Sequence, residues 1–389
     1  MPPFSLYNYI IISHLSFQQK HCLNNYLSKK VQYDIIQADR RENMVKREKN
    51  IEFIRVFAIF MTVMIHVSNF YINSFSKISA SYFNTAVVYN SLSRICVPLF
   101  FMVSGIFLIK QEFNFKSYYQ RVLKYALILV TWSIIYFLFN NEWQLKGLKK
   151  AVANSFLNAN ETSRHLWFMY AILGIYIALP FIQNMCKNMS TQIENLFLGL
   201  WLGFSGLGVI YVPLIRIVTN TNVDITYPIP IINATYYLGY FIAGHILYER
   251  FKDKTANLKK NLLCIGVFLG SSLVTIVATC IMSAVMNKAY TPLFWYKSIF
   301  IVLSAFAVFI LVIINKDKFK SEAILTFSKQ SFGIYLIHMI FFNQLTNNVN
   351  ILQYNPIITV PLVTLGVYVV SFISSYILSK IPILKRLVV

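Results

Sequence analysis

Apolar residues recur along this chain in blocks of about 20, divided by short polar connectors, from residue 51 nearly to the end. A helix of that length and density is what the hydrocarbon core of a bilayer requires. The pattern predicts spans over 51–72, 92–110, 120–140, 165–183, 194–213, 230–249, 260–286, 292–315, 329–346 and 355–380. Two of these blocks are weak. The 92–110 block has Arg94 at one end and Pro98 inside it, and the 329–346 block has a short apolar centre, Phe332 to Leu345, that contains His338. The expected fold class is all-α, a polytopic transmembrane bundle of about ten spans.

Composition agrees with the pattern. Of the 389 residues, 57% are hydrophobic and 13% charged, whereas a soluble chain carries about 25% charged residues. No repeat at a solenoid period is visible, and no soluble segment is large enough to be a second domain. Residues 1–50 are polar and unlike the rest. Their apolar stretch, Tyr9 to Ile12, is too short for the core of a signal peptide. Met44 stands just before a compact basic lead, Val45 to Asn50, so the expectation is a native start at Met44, with residues 51–389 as one transmembrane domain.

Charge then orients the bundle. The net charge is +21, which on a soluble protein would suggest nucleic-acid binding; no motif for that is present. Positive loops on the cytoplasmic side explain it better. With the N-terminus inside, the inner loops hold Lys110, Lys116, Lys187, a cluster from Arg250 to Lys260, and Lys316, Lys318 and Lys320. The outer loops hold Lys77, Lys146, Lys149, Lys150, Arg216 and Lys288. Both termini are therefore expected in the cytoplasm. Five cysteines (Cys22, Cys96, Cys186, Cys264, Cys280) form no CxxC pair, so neither a disulfide framework nor a metal site is expected.

Ionisable groups within spans are costly and mark functional positions. In the first span, Glu52, Arg55, Thr62, His66, Asn69 and Asn73 recur at helical spacing and form one stripe, which must face the bundle interior or a wet cavity. Arg55 and His66 are eleven residues apart, about 16 Å along the axis. Arg94, His165 and His338 fall at a depth similar to that of His66, toward the outer side, while His245, near the inner end of its span, reads as an interfacial group. Tyr335 and His338, three residues apart, share a helix face.

These residues resemble the membrane-bound acyltransferase 3 family in four ordered blocks: Arg55 and His66 ten residues between; Ser93-Arg94-Ile95-Cys96-Val97-Pro98 through Ser104-Gly105; His165-Leu166-Trp167-Phe168 followed by Tyr176 and Pro180; and Ser331 to His338. The resemblance runs from Glu52 to the C-terminus. It implies transfer of an acyl group, usually acetyl, from acyl-CoA to a hydroxyl of a bacterial surface or lipid-linked glycan in the cell membrane. By the same resemblance, activity is expected to depend on Arg55, His66 and Arg94, and Glu52 keeps the carboxylate where many relatives have Asp. The chemistry suits those roles: His66 as general base, Arg94 at the oxyanion or, alternatively, on the donor's phosphates, and Arg55 on the phosphates of the donor. Glu52, Trp167 and Tyr335 would support them, and His165 and His338 would orient either the acceptor or His66. Ser104-Gly105 is expected to allow close helix packing. The competing expectation is an exporter of polysaccharide or lipid-linked sugar without catalysis, since broken helices and polar spans also suit a transporter.

Overall fold

The computed structural model describes residues 48–140, 147, 164–207 and 230–388, with the backbone alone at 205–206, 230–236 and 383. Met44, Lys146, Lys149, Lys150, Arg216 and the end of the expected 194–213 span lie outside the described residues. Everything below concerns the unit that begins at Lys49. Among the described residues the regular structure is all helical.

Seven segments are long and apolar enough to cross a membrane. They are α1 (Lys49–Ile72), a broken pair α2 (Ala80–Ser93) and α3 (Cys96–Ile109), α4 (Phe115–Asn140), α5 (Trp167–Lys187) with its leading 3-10 turn at Arg164–Leu166, α8 (Leu258–Met286), α9 (Ile299–Ile314) with the turn before it, and α11 (Pro356–Lys380). Three other helices correspond to the remaining expected spans without meeting that measure. α6 (Thr191–Trp201) runs into a wide π turn, Leu202–Gly206. α7 is Pro230–Phe251 and α10 is Ala323–Asn348. A short α12 (Pro382–Val388) follows α11.

Polar residues set the boundaries. Ser79, Asn257 and Asn355 each cap a helix by accepting a backbone N–H, and Pro356 follows Asn355 at a position where a missing N–H costs nothing. Asn287 closes α8 in the left-handed conformation that Asn tolerates.

The expected 92–110 span is corrected in one respect: it is the second half of a 30-residue segment opening at Ala80 and broken at Arg94–Ile95. Pro98 has no N–H to give the carbonyl of Arg94, four residues earlier, so the ladder opens there. It resumes with Leu99 N–H bonded to the Ile95 carbonyl at 3.0 Å.

α1 and α3 form the centre of the bundle, packed on each other, with α10 against α1 and α7 against α3. At Gly105 an added Cβ would run into the Phe241 carbonyl, and at Gly244 into the backbone of Met102, so α3 and α7 touch backbone to backbone. The Ser104 hydroxyl meanwhile donates to its own helix, at the Phe100 carbonyl. α8 and α11 present Leu262, Leu269, Leu273, Leu362 and Leu365 outward, the surface a helix shows to lipid. α1 and α10 run parallel. Lys49 meets Glu322 and the Lys320 carbonyl at one end, and Tyr71 donates to the Ile351 carbonyl at the other. The end marked by Lys49 also holds the ion pairs Lys110–Glu249, Lys252–Glu249 and Arg250–Glu194, and Lys316 bonded to the Lys252 carbonyl.

Candidate active site

The polar stripe of α1 faces inward. Its C-terminal part, Thr62, His66, Asn69 and Asn73, lines a cavity of about 460 Å³. The break between α2 and α3 delivers Arg94 and Cys96 to the same cavity, the 3-10 turn before α5 delivers Arg164 and His165, and Trp167 follows at the start of α5. From α10 come Tyr335, Asn343 and Thr346, and from the turn before α9 comes Tyr296.

Arg94 is anchored on two sides. Its Nε–H donates to Asn90 Oδ1 at 2.8 Å, and its guanidinium lies over the rings of Phe294 and Tyr296, 4.8 and 5.8 Å from their centroids. Asn90 in turn donates to the Ser68 hydroxyl (2.9 Å) and the Ile65 carbonyl (3.2 Å). One amide side chain thereby fixes Arg94 relative to the turn of α1 that carries His66.

Three histidines cluster beside the cavity, two of them in its lining. The His66 ring centroid is 5.1 Å from that of His338 and 6.4 Å from that of His165, with 5.3 Å between His165 and His338. Tyrosines tie the group together. Tyr335 donates to the His165 carbonyl and Tyr136 to the Leu336 carbonyl, both at 2.7 Å. His338 does not line the cavity; it is fully buried behind His66. The three do not form a metal-ligand set among the described residues.

Trp167 packs on Tyr237 and Tyr296, giving the cavity an aromatic wall.

Arg55 and Glu52 do not reach this cavity. They form a second polar group at the other end of α1, where Arg55 Nη1 donates to both carboxylate oxygens of Glu52 at 3.2–3.3 Å and lies over the Phe107 ring. Glu52 also accepts from the Ser328 hydroxyl of α10. Its side chain is 1% exposed, against 30% for Arg55, so the carboxylate is closed in while the guanidinium stays open to one side.

The sequence reading did not single out Tyr296, Asn90, Asn343 or Thr346. Asn343 and Thr346 could have been found by extending the Tyr335 face of α10 at helical spacing. Tyr296 and Asn90 had no such signal, because only the tertiary fold brings them to Arg94.

A family model for an acyltransferase domain, that of acyltransferase family 3, matches residues 48–380. The chain belongs to that family. No curated protein and no solved structure matches it. Family membership and the apolar helices make it a membrane-embedded O-acyltransferase. In this acyltransferase the match spans both polar groups of α1 and the C-terminal helices that pack against them.

Proposed function

We propose that this acyltransferase moves an acyl group, acetyl in the first instance, from cytoplasmic acyl-CoA to a hydroxyl of a cell-surface or lipid-linked glycan at the bacterial plasma membrane. About ten spans cross the bilayer in this reading, counting α6, α7 and α10 with the seven apolar segments, and both termini are cytoplasmic. The end of the bundle rich in Lys and Arg faces the anionic inner leaflet.

The observation that carries the reading is that His66 and Arg94 line one cavity whose described wall contains no carboxylate. His66 takes the proton of the acceptor hydroxyl as its oxygen attacks the thioester carbonyl. The tetrahedral oxyanion faces Arg94, which is already oriented by Asn90 and the aromatic rings and needs little reorganisation. The carbon–sulfur bond then breaks, the thiolate takes the proton from His66, and an ester and free coenzyme A leave. Arg55 binds phosphate of the donor from the inner side. Asn69, Asn73, Asn343 and Thr346, beyond His66, offer the neutral donors and acceptors that a sugar ring's hydroxyls require, and Trp167 offers an apolar face. Glu52, His165 and Tyr335 hold these groups in place.

The test is mass spectrometry of surface glycans from cells lacking the gene, complemented with the wild type or with His66→Ala at matched membrane levels. An ester-linked acyl mass should vanish on deletion and return only with the wild type. Unchanged esters with less surface glycan, restored equally by His66→Ala, would point to export.

A further inference from the structure

A histidine acting as general base needs a lone pair on the nitrogen facing its substrate, and therefore a proton on the other nitrogen. A carboxylate or carbonyl commonly holds that second N–H. No Asp or Glu lines the cavity among the described residues, so His66 must be oriented by something else.

Behind it lies His338. Its Nδ1 is 2.7 Å from the Tyr335 carbonyl oxygen and 3.1 Å from that of Ile334. A carbonyl only accepts, so Nδ1 carries the proton, and in the neutral ring the lone pair is on Nε2. Both carbonyls belong to the preceding turn of α10, so this tautomer is set by the helix itself. Nε2 points away from that turn, is buried, and has no hydrogen-bond partner among the described residues. The ring centroid of His66 is 5.1 Å away. Two imidazoles joined by an N–H···N bond of about 2.9 Å have centroids about 5 Å apart, so the two rings stand at the separation such a bond requires.

We propose that His338 is a positioning residue for His66: its Nε2 lone pair accepts the His66 N–H and so presents the other His66 nitrogen, lone pair outward, to the acceptor hydroxyl. This rests on the assignment of His66 as base. The protons balance without any change at His338. The hydroxyl proton passes to the cavity-side nitrogen of His66, the resulting imidazolium keeps its rear N–H on His338, and the departing thiolate recovers the cavity-side proton. A neutral imidazole orients its partner as a carboxylate does without adding a charge to the site.

The groups facing this pair are His165, 6.4 Å from His66 and 5.3 Å from His338; Tyr335, 6.2 Å from His338; Tyr136, 4.8 Å from His165; and Arg94 and Cys96 in the cavity wall. Arg164 and Tyr296 line the same wall; the two arginines carry the permanent charge, and both remain in every variant below.

The experiment uses the full-length purified protein in lipid nanodiscs, with acetyl-CoA as donor and surface glycan from the deletion strain as acceptor, following coenzyme A release with a thiol reagent. His338→Ala, His338→Gln and His66→Ala are compared with the wild type, with melting temperature measured for each. His338→Ala should lower kcat about 10²-fold while KM for acetyl-CoA stays within about twofold. It should also move the acid limb of the kcat profile to lower pH, because the imidazolium loses its acceptor. His338→Gln, whose amide oxygen can accept the same N–H, should recover about a tenth of wild-type kcat or more and return the acid limb toward its wild-type position. Turnover within about twofold of wild type in His338→Ala overturns the proposal. So do equal losses in the Ala and Gln variants with an unmoved acid limb, which would mean that His338 only fills space. Wild-type turnover in His66→Ala would instead overturn the assignment of the base, a separate result.

Discussion

Arg94 shows how one side chain in this bundle is made useful by its neighbours. A guanidinium within a membrane span is expensive, and here Asn90, Phe294 and Tyr296 hold it while leaving it on the cavity. The planar group stacks on aromatic rings as an ammonium does not. Arg94→Lys should therefore fail to substitute, with kcat down about 10²- to 10³-fold and little change in KM for acyl-CoA; steady-state kinetics at saturating acceptor would read this directly. Asn90→Leu should give a smaller loss of the same kind, since it releases Arg94 without removing its charge. At the other end of α1 the expectation is opposite in form. Arg55→Ala should raise KM for acyl-CoA about 10-fold or more, the loss of one charged hydrogen bond, with kcat nearly kept. Collapsed turnover at unchanged KM would reject the donor role.

Among the helices, the break between α2 and α3 and the close approach of α3 to α7 carry distinct consequences. Pro98→Ala restores an N–H to the ladder and should straighten the segment at Arg94. The expected result is a protein at least as stable as wild type, by melting in detergent, with turnover reduced because Arg94 leaves its place. Gly105→Val should do the reverse. Its side chain meets the Phe241 backbone, which cannot yield as a flexible side chain can, and a loss of about 1–3 kcal/mol is expected with reduced yield of folded protein. Sequence patterning reached some of these elements and missed others for physical reasons. The α1 stripe was legible because its polar residues follow helical periodicity on a strongly apolar background. The stretch from Ala80 to Ser93 was not, since its Asn, Ser and Tyr residues dilute the hydropathy that marks a span. α10 reads weakly for a related reason: Ser328, Gln330, Ser331 and His338 are buried among protein neighbours, so that face need not be apolar enough for lipid. The cavity's aromatic wall required the fold, since Trp167 and Tyr296 are brought together from distant segments.

For the molecule as a whole, the basic end and the cavity end should lie on opposite sides of the membrane. Introduced thiols can check this with an impermeant maleimide. Lys77→Cys and Lys288→Cys should label in intact cells, while Lys254→Cys and Lys318→Cys should label only after permeabilisation; all four positions are exposed. Labelling in the reverse pattern would invert the bundle and with it the donor side. The parallel pairing of α1 with α10 also bears on how the protein is made. Glu52 and Ser328 are 276 positions apart in the chain. At about 5–20 residues per second of synthesis, α1 waits some 14–55 s in the translocation machinery or bilayer for its partner helix. Through that interval the Glu52 carboxylate already has the guanidinium of Arg55, three residues along the same helix. That neighbour is present from the moment α1 forms. The local pair thus acts as a temporary chaperone for the first helix, and His66 has no His338 beside it until nearly the last helix has been inserted, so a half-built chain has no assembled site with which to squander thioester.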